Sequence, residues 1–284
     1  MDIRTAIRSR RSTRRYVGRP VAGGVLEHLL AFAAAVDHLS RPGVRVALVS
    51  GRERVARILT RYAGIYGLVQ GVPHLLMGLL PQDTDQARLD LGYVLEQVVL
   101  EATRQGLATC WMTGSYHRDR AVGEVEMNRG EVLGAVVAVG HPRRDPLARV
   151  HDGVVRRLVS AHRRRPLEEL VFSGRWGEPW SLAGAELTLA EVLECARRAP
   201  SACNRQPWRF VVGEGELHLA LIEPAPIDAG IVMAHVALAA VDLGLPGRWA
   251  LRWGDPAMAT VLRLPPSVVP VATLSSHEWS ESRG

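Results

Sequence analysis

Two short stretches of this sequence carry side chains whose types and spacing suit gripping a ligand. The first is Arg8-Ser9-Arg10-Arg11-Ser12-Thr13-Arg14-Arg15-Tyr16, which follows a predicted short helix over Ile3–Ile7. Guanidinium forks flanking a serine hydroxyl match a phosphate dianion, because arginine offers paired donors and serine adds a short hydrogen bond. The same turn also reads as a solvated basic surface. The second is Ala199-Pro200-Ser201-Ala202-Cys203-Asn204-Arg205-Gln206-Pro207-Trp208. Amide side chains both donate and accept, so they can read the alternating pattern of a heterocycle edge such as the pyrimidine edge of a flavin. The alternative is a loop whose Ser and Asn cap a turn locally.

The elements that must position these stretches are visible as an internal repeat. Asp90 to Trp111 reads DLGYVLEQVVLEATRQGLATCW, and Asp228 to Trp249 reads DAGIVMAHVALAAVDLGLPGRW. They align without a gap, and nine of the 22 positions are identical, including Asp90/Asp228, Gly92/Gly230, Gly106/Gly244, Leu107/Leu245 and Trp111/Trp249. Composition alone can mimic the apolar matches, but not Asp-x-Gly at the start, Gly-Leu at the end and Trp beyond at one spacing. Each segment predicts a long, largely apolar helix (about 90–106 and 228–244) ended by a glycine cap, and such a helix belongs at the centre of a fold. Upstream, Val25–Ala35 and Glu191–Ser201 also predict helices, leading into strands at Val44–Val49 and Phe210–Val212. The first copy has an extra stretch, about Arg54 to Leu80, that reads as a helix followed by an apolar strand. The second copy passes almost directly from Leu217–Ile222 to Asp228. Two diverged copies are therefore expected, residues 1–160 and 161–284, with the junction near Ala161–Pro166.

The copies keep different polar motifs. The place matching the arginine turn is near Phe172-Ser173-Gly174-Arg175-Trp176, which lacks most of the basic residues. The place matching the Ser/Asn/Gln loop is Ala33–Pro42, which lacks the amides.

Composition bounds the rest. In 284 residues, 47% hydrophobic and 23% charged, there is enough apolar material for a sizeable core. No apolar run is long enough to span a bilayer. Met1-Asp2-Ile3-Arg4 leads into a basic segment with no apolar h-region, so a cytoplasmic protein without signal peptide is expected. Cys110, Cys195 and Cys203 have neither disulfide-framework nor metal-ligand spacing. The net charge of +6 rests wholly on arginine, since lysine is absent. Beside the clusters at Arg8–Arg15, Arg143–Arg144 and Arg156–Arg165 no nucleic-acid-binding motif stands, and Arg163-Arg164-Arg165 reads as a solvated linker.

RRSTRRY, APSACNRQPW and GLATCWMTG followed by VVAVGHP resemble the nitroreductase family of FMN-dependent oxidoreductases. The resemblance covers most of the chain. It implies an α+β three-layer fold with central mixed or antiparallel sheets, here as two tandem copies forming an intramolecular pseudo-dimer, and hence a monomer with an internal twofold. Family members are homodimers whose sites combine the arginine turn of one subunit with the Pro-Ser…Asn…Gln-Pro-Trp loop of the other. This chain keeps one motif in each copy, as expected of one intact composite site. By resemblance, Arg10, Arg11, Ser12 and Arg14 bind FMN, with Arg10 and Ser12 on the phosphate and Arg14 there or at the ribityl chain or N1/O2 edge. Pro200, Ser201, Ala202, Asn204 and Gln206 bind it from the opposite half. Trp111, Met112, Thr113 and Gly114 lie beside the ring, with a backbone N–H of Thr113 or Gly114 facing N5. Arg143 or Arg144 completes the phosphate site.

The chemistry the resemblance implies is ping-pong hydride transfer. NADH or NADPH visits as a transient reductant, and an electron-poor acceptor such as a nitroaromatic or quinone follows, with no side-chain acid or base and no metal. No Rossmann glycine fingerprint is present, which suits a nicotinamide that does not stay. The sequence departs from the family pattern at Trp111 and Thr113. It also lacks the Asn and Lys that usually follow the strand ending near Val49. A flavin-binding protein of the same fold that does not reduce substrates is the alternative, and a basic nucleic-acid-binding protein is a third, weaker one.

Overall fold

The two long apolar segments form the helices around which each half of the chain is built. A computed structural model describes residues 1–40, 43–59, 69–112, 116–144, 163–181 and 187–275. The chain divides into two compact units, Met1–Arg163 and Arg164–Gly284.

In the first unit, strands β1 (Arg45–Ser50), β2 (His74–Leu80), β3 (Ala108–Met112) and β4 (Val132–Gly140) form an antiparallel sheet in the order β1-β2-β4-β3. Helices α1 (Ile3–Ser9), α2 (Gly23–Ala35) and α4 (Asp85–Arg104) gather on one side. Helix α4 is long because its Thr84 side chain caps the Ala87 N–H and no breaker interrupts it. It lies close on the sheet: a Cβ on Gly78 of β2 or Gly134 of β4 would come within 2.5 Å of the Leu91 side chain. Glycine in two neighbouring strands is what lets Leu91 seat there. On the other face, Val49, Leu75, Met77, Val136, Cys110 and Met112 pack with Val55 and Ile58 of α3 (Arg52–Ile58) and Ala121 of α5 (Arg118–Val122). Helix, sheet and helix thus make three layers, and β2 is buried along its whole length.

The second unit repeats this plan. Strands β6 (Trp208–Val212), β7 (Glu216–Leu221), β8 (Arg248–Leu251) and β9 (Val269–Ser275) lie in the order β6-β7-β9-β8, the same path as β1-β2-β4-β3. A short strand β5 (Val171–Ser173), after helix α6 (Leu167–Leu170), adds one parallel pairing to β6. Helix α7 (Leu187–Arg197) packs with the central α8 (Pro226–Asp242), and α9 (Pro256–Val261) contributes Met258 to a small cluster with Val211 and Leu262. The α+β fold in two tandem copies is therefore present in connectivity as well as in residue identity.

The two central helices end alike. Gly106 and Gly244 both have φ of 75°, and Leu107 N–H donates to Ala102 O (2.9 Å) as Leu245 N–H donates to Ala240 O (2.8 Å). These are glycine-terminated caps that return the chain to β3 and β8.

Three expectations shift. The apolar strand of the extra stretch, β2, has a counterpart in β7; what the second unit lacks is only the segment between β1 and β2, replaced by the short turn between Val212 and Glu216. Helix α7 stops at Arg197 rather than reaching Ser201. Phe172–Trp176 does not correspond to the arginine turn: β5 pairs with β6, whereas Ser12 lies beside Thr109 of β3, whose counterpart β8 is at the other edge of the second sheet.

Candidate functional site

Helix α1 is opened by Asp2, whose side chain accepts the Thr5 N–H (2.8 Å), and closed at Arg10, whose N–H donates to Ala6 O. Beyond it the chain is extended. Thr13 N–H donates to Thr109 O (3.0 Å), Gln70 N–H to Arg14 O (2.8 Å), Tyr16 N–H to Gln70 O (2.9 Å), Arg143 N–H to Arg15 O (2.9 Å) and Val17 N–H to His141 O (3.0 Å). Side chains on such a strip alternate, so positions 10, 12 and 14 share one side and 11, 13 and 15 the other.

Burial at Arg10, Arg11 and Arg14 follows that alternation, while Ser12, Thr13 and Arg15 are alike half-buried and Arg15 also keeps a buried Nε without a hydrogen bond. Arg10 and Arg14 are each only 6% exposed, while Arg11 is exposed. Arg11 donates from Nη1 to the carbonyls of Arg8 (2.6 Å) and Arg10 (2.9 Å), closing the C-terminal end of α1. It is engaged locally rather than turned to a ligand. Arg14 has a buried Nη1 with no hydrogen-bond partner, and among the described residues its guanidinium has no ion pair. Arg10 has a buried Nε with no hydrogen bond, 3.8 Å from Oε1 of Glu96, a carboxylate with no exposure at all. Buried polar groups are ordinarily satisfied, so Arg10 and Arg14 have donor capacity that the described residues leave unused.

Trp111 donates its indole N–H to Oε2 of Glu96 (2.7 Å) and is thereby fixed on α4. Met112 points the other way into the core with Cys110 and Ala108, so its side chain is packing. Thr113 and Gly114 lie outside the described residues. Arg143 and Arg144 are exposed, with Arg143 tied to the strip through its backbone. Arg143 also lines, with Arg15 and Arg52, a groove of about 600 Å³ walled by Val55, Leu59, Val69 and Val72.

In the second unit the loop after α7 is held in an uncommon shape. Cys203, Asn204 and Gln206 have φ of 55°, 56° and 52°, three non-glycine residues in the left-handed region within four positions. Asn accepts this conformation readily; the other two must be held. Ser201 Oγ accepts the Gln206 N–H (2.9 Å), and Asp228 at the start of α8 accepts the Ala202 N–H (3.1 and 3.2 Å). Burial pushes the Asp228 carboxyl up to about 6, against the opposing pull of that N–H and of Arg205. Pro200 is buried and Ala202 partly exposed.

The amide side chains are not idle. Asn204 Oδ1 accepts from Arg164 Nη1 (2.6 Å), whose Nη2 reaches Arg198 O (3.1 Å), and Gln206 Oε1 accepts the Arg165 N–H (3.0 Å). Arg164 and Arg165, read from sequence as solvated linker, instead fasten the loop. Arg209 is buried too, but its Nη1 donates to Gln206 O (3.2 Å) and Trp208 O (2.7 Å); burial, then the nearby Arg165, lowers its pKa.

Sequence reasoning used Asp90 and Asp228 as markers of the repeat and missed their task. Asp90 accepts the Leu39 N–H (2.6 Å) and lies 3.0 Å from His38 Nδ1, so each aspartate anchors the loop between its unit's preceding helix and first strand. An identical acid at the start of two apolar helices was the signal. Glu96, a charge amid apolar neighbours, was another.

The family described as "Putative TM nitroreductase" matches residues 2–240. The chain belongs to that family. Among solved structures, this nitroreductase-family chain is similar to a "putative nitroreductase" from Thermotoga maritima MSB8 at 20% identity and a TM-score of 0.64, over 97% of this chain and 94% of that one. That likeness is one of fold. A nitroreductase family protein from Clostridium difficile 630 (21% identity, TM-score 0.42) spans 51% of this chain and 87% of its own. A nitroreductase with bound FMN from Bacteroides fragilis NCTC 9343 (16% identity, TM-score 0.43) spans 50% and 89%. No curated protein matches. Among the described residues, no helix of this nitroreductase-family chain is long and apolar enough to cross a membrane.

Proposed function

We propose that this nitroreductase-family protein is an FMN-binding oxidoreductase that takes hydride from NADH or NADPH and passes it to an electron-poor small molecule such as a nitroaromatic or a quinone. The observation that carries this reading is Arg14, a guanidinium 6% exposed with a buried, unpartnered Nη1. A cation so placed costs several kcal/mol unless an anion meets it, and a phosphorylated flavin brings one. Arg10 and Ser12, at alternate positions of the same strip, suit the phosphate. Arg14 suits the phosphate or the N1/O2 edge, where a cation favours added negative charge.

From the other copy, Pro200, Ser201, Ala202, Asn204 and Gln206 are assigned to the pyrimidine edge. Asp228 and Ser201 hold that loop in its left-handed turn, so little ordering is left for binding to accomplish. FMN bound to these residues supplies the hydride-carrying chemistry. The chain's own part is to bind, orient and bias charge, without a side-chain acid or base. We assign it to the cytoplasm, acting as a monomer on small molecules without nucleic-acid or membrane partners.

The test is the visible spectrum of the purified protein, reconstituted with FMN and titrated with NADPH or NADH under argon. A yellow protein that bleaches, and recovers colour on adding a quinone, is expected. A protein that takes up no FMN sinks the reading. One that binds FMN but stays yellow with both nucleotides points to flavin binding without reduction.

A further inference from the structure

Glu96 lies in the middle of α4 with no solvent exposure, in a helix whose neighbouring positions, Leu95, Val98, Val99 and Leu100, are fully buried and apolar. Its two carboxylate oxygens face different elements. Oε2 accepts the Trp111 indole N–H at 2.7 Å, and Oε1 stands 3.8 Å from Arg10 Nε. Arg10 meets this carboxylate at Nε and not through its terminal Nη1/Nη2 pair. The fork that grips phosphate oxygens two at a time is therefore not spent on Glu96.

The second copy supplies the comparison. Ala234 occupies the place of Glu96, and Trp249 donates instead to the Met233 carbonyl at 3.3 Å. Phe172–Trp176 of that copy folds as an edge strand and turn at the opposite side of the sheet from the one the arginine turn joins. A buried carboxylate is tolerated only with a cation and hydrogen bonds to meet it. The carboxylate stands in the copy whose arginine turn passes beside it, and alanine takes its place in the other.

We propose that Glu96 is the positioning residue of the arginine turn: an internal counter-charge that holds Arg10 by Nε, braced by Trp111, so that the arginine presents its terminal nitrogens to an anionic group. Which anion this is rests on the flavin reading above; the pairing itself does not. If Glu96 only tuned charge, removing its negative charge would strengthen phosphate binding. If it positions Arg10, removing it weakens binding.

The experiment is a double-mutant cycle of Glu96→Gln and Arg10→Met in the full chain, with FMN affinity from fluorescence quenching and thermal midpoints without flavin at pH 8. Glu96→Gln keeps an acceptor for Trp111 and is expected to weaken FMN about tenfold; Arg10→Met does the same or more, and the double variant is no worse than the worse single. Without flavin, Arg10→Met lowers the midpoint in the parent chain and much less in the Glu96→Gln background, because the charge that Arg10 faces is gone. Arg10→Lys keeps the cation but not the fork. It is expected to hold the midpoint and still weaken FMN, a split that a purely structural role would not produce. Affinity losses that multiply, tighter binding by Glu96→Gln, or midpoint shifts that simply add would each overturn the proposal. A parent chain that binds no FMN, with midpoints still coupled, would remove the flavin reading and leave the pairing standing.

Discussion

Helices α4 and α8 share a frame and differ in what hangs on it. Both begin near an aspartate that anchors a loop, both end in a glycine at φ of 75°, and both receive an indole N–H from a tryptophan on the strand that follows. Yet α4 carries Glu96, Gln97 and Glu101 where α8 carries Ala234, His235 and Ala239. Positions that fix the backbone path were kept, while those that meet a neighbouring side chain diverged. Backbone geometry is common to both copies; the side chains on it are not.

The largest effect separating the copies is expected at Asp228. Its carboxyl sits at about 6 in the folded chain, above the ordinary 3.8, so the folded state holds the proton more tightly than the unfolded one. The stability this gives is full below the ordinary value and is lost as pH rises through 6. A rise of that size corresponds to about 3 kcal/mol. Asp228→Asn keeps an oxygen for the Ala202 N–H, so urea midpoints should show a flattened slope between pH 4 and 6 and a more stable protein at pH 7. An unchanged slope would assign it to another group.

Next come the two buried arginines. Arg14→Met removes an unpaired cation and should raise the thermal midpoint of the flavin-free protein while weakening FMN about a hundredfold, or about 2.7 kcal/mol. Arg209→Met deprives the Gln206 and Trp208 carbonyls of a donor and should lower the midpoint by about 1–3 kcal/mol in stability. Shifts of the same sign would break the contrast.

The tryptophans sharpen it further. Trp111→Phe loses a short hydrogen bond to a buried carboxylate and should cost about 1.5–3 kcal/mol, whereas Trp249→Phe loses a longer bond to a helix carbonyl and should cost about 0.5–1 kcal/mol; denaturant midpoints order the two. Small and equal are the caps. Gly106→Ala and Gly244→Ala each force a Cβ into a left-handed position that has open space around it, for about 1 kcal/mol apiece. Unequal costs would mean the caps are not equivalent.

The repeat, the central helices and the strands before and after them were legible in the sequence because apolar periodicity and a glycine stop are local signals. Arg10, Ser12 and Arg14 could be named from the motif, but not ranked against Arg11, because the strip's alternation is imposed by Gln70, Thr109 and Arg143, far away in the chain. The engagement of Asn204 and Gln206 by Arg164 and Arg165 was hidden for the same reason. A run of arginines looks equally solvated whether or not one of them meets a carbonyl oxygen across a turn. Phe172–Trp176 was misaligned because a short helix followed by a polar turn carries too little pattern to reveal which sheet edge it will join.

The extended strip has one more consequence. Five of the residues from Arg8 to Arg15 are arginine, so composition cannot decide which of them faces inward. That choice is made by the clasp of Gln70 on both Arg14 and Tyr16. A slip by a single residue would turn Arg11, Thr13 and Arg15 inward in place of Arg10, Ser12 and Arg14, leaving the charge of the turn unchanged and its meaning lost. Which cations lie inward depends less on how many are supplied than on a backbone ruler that counts them in twos.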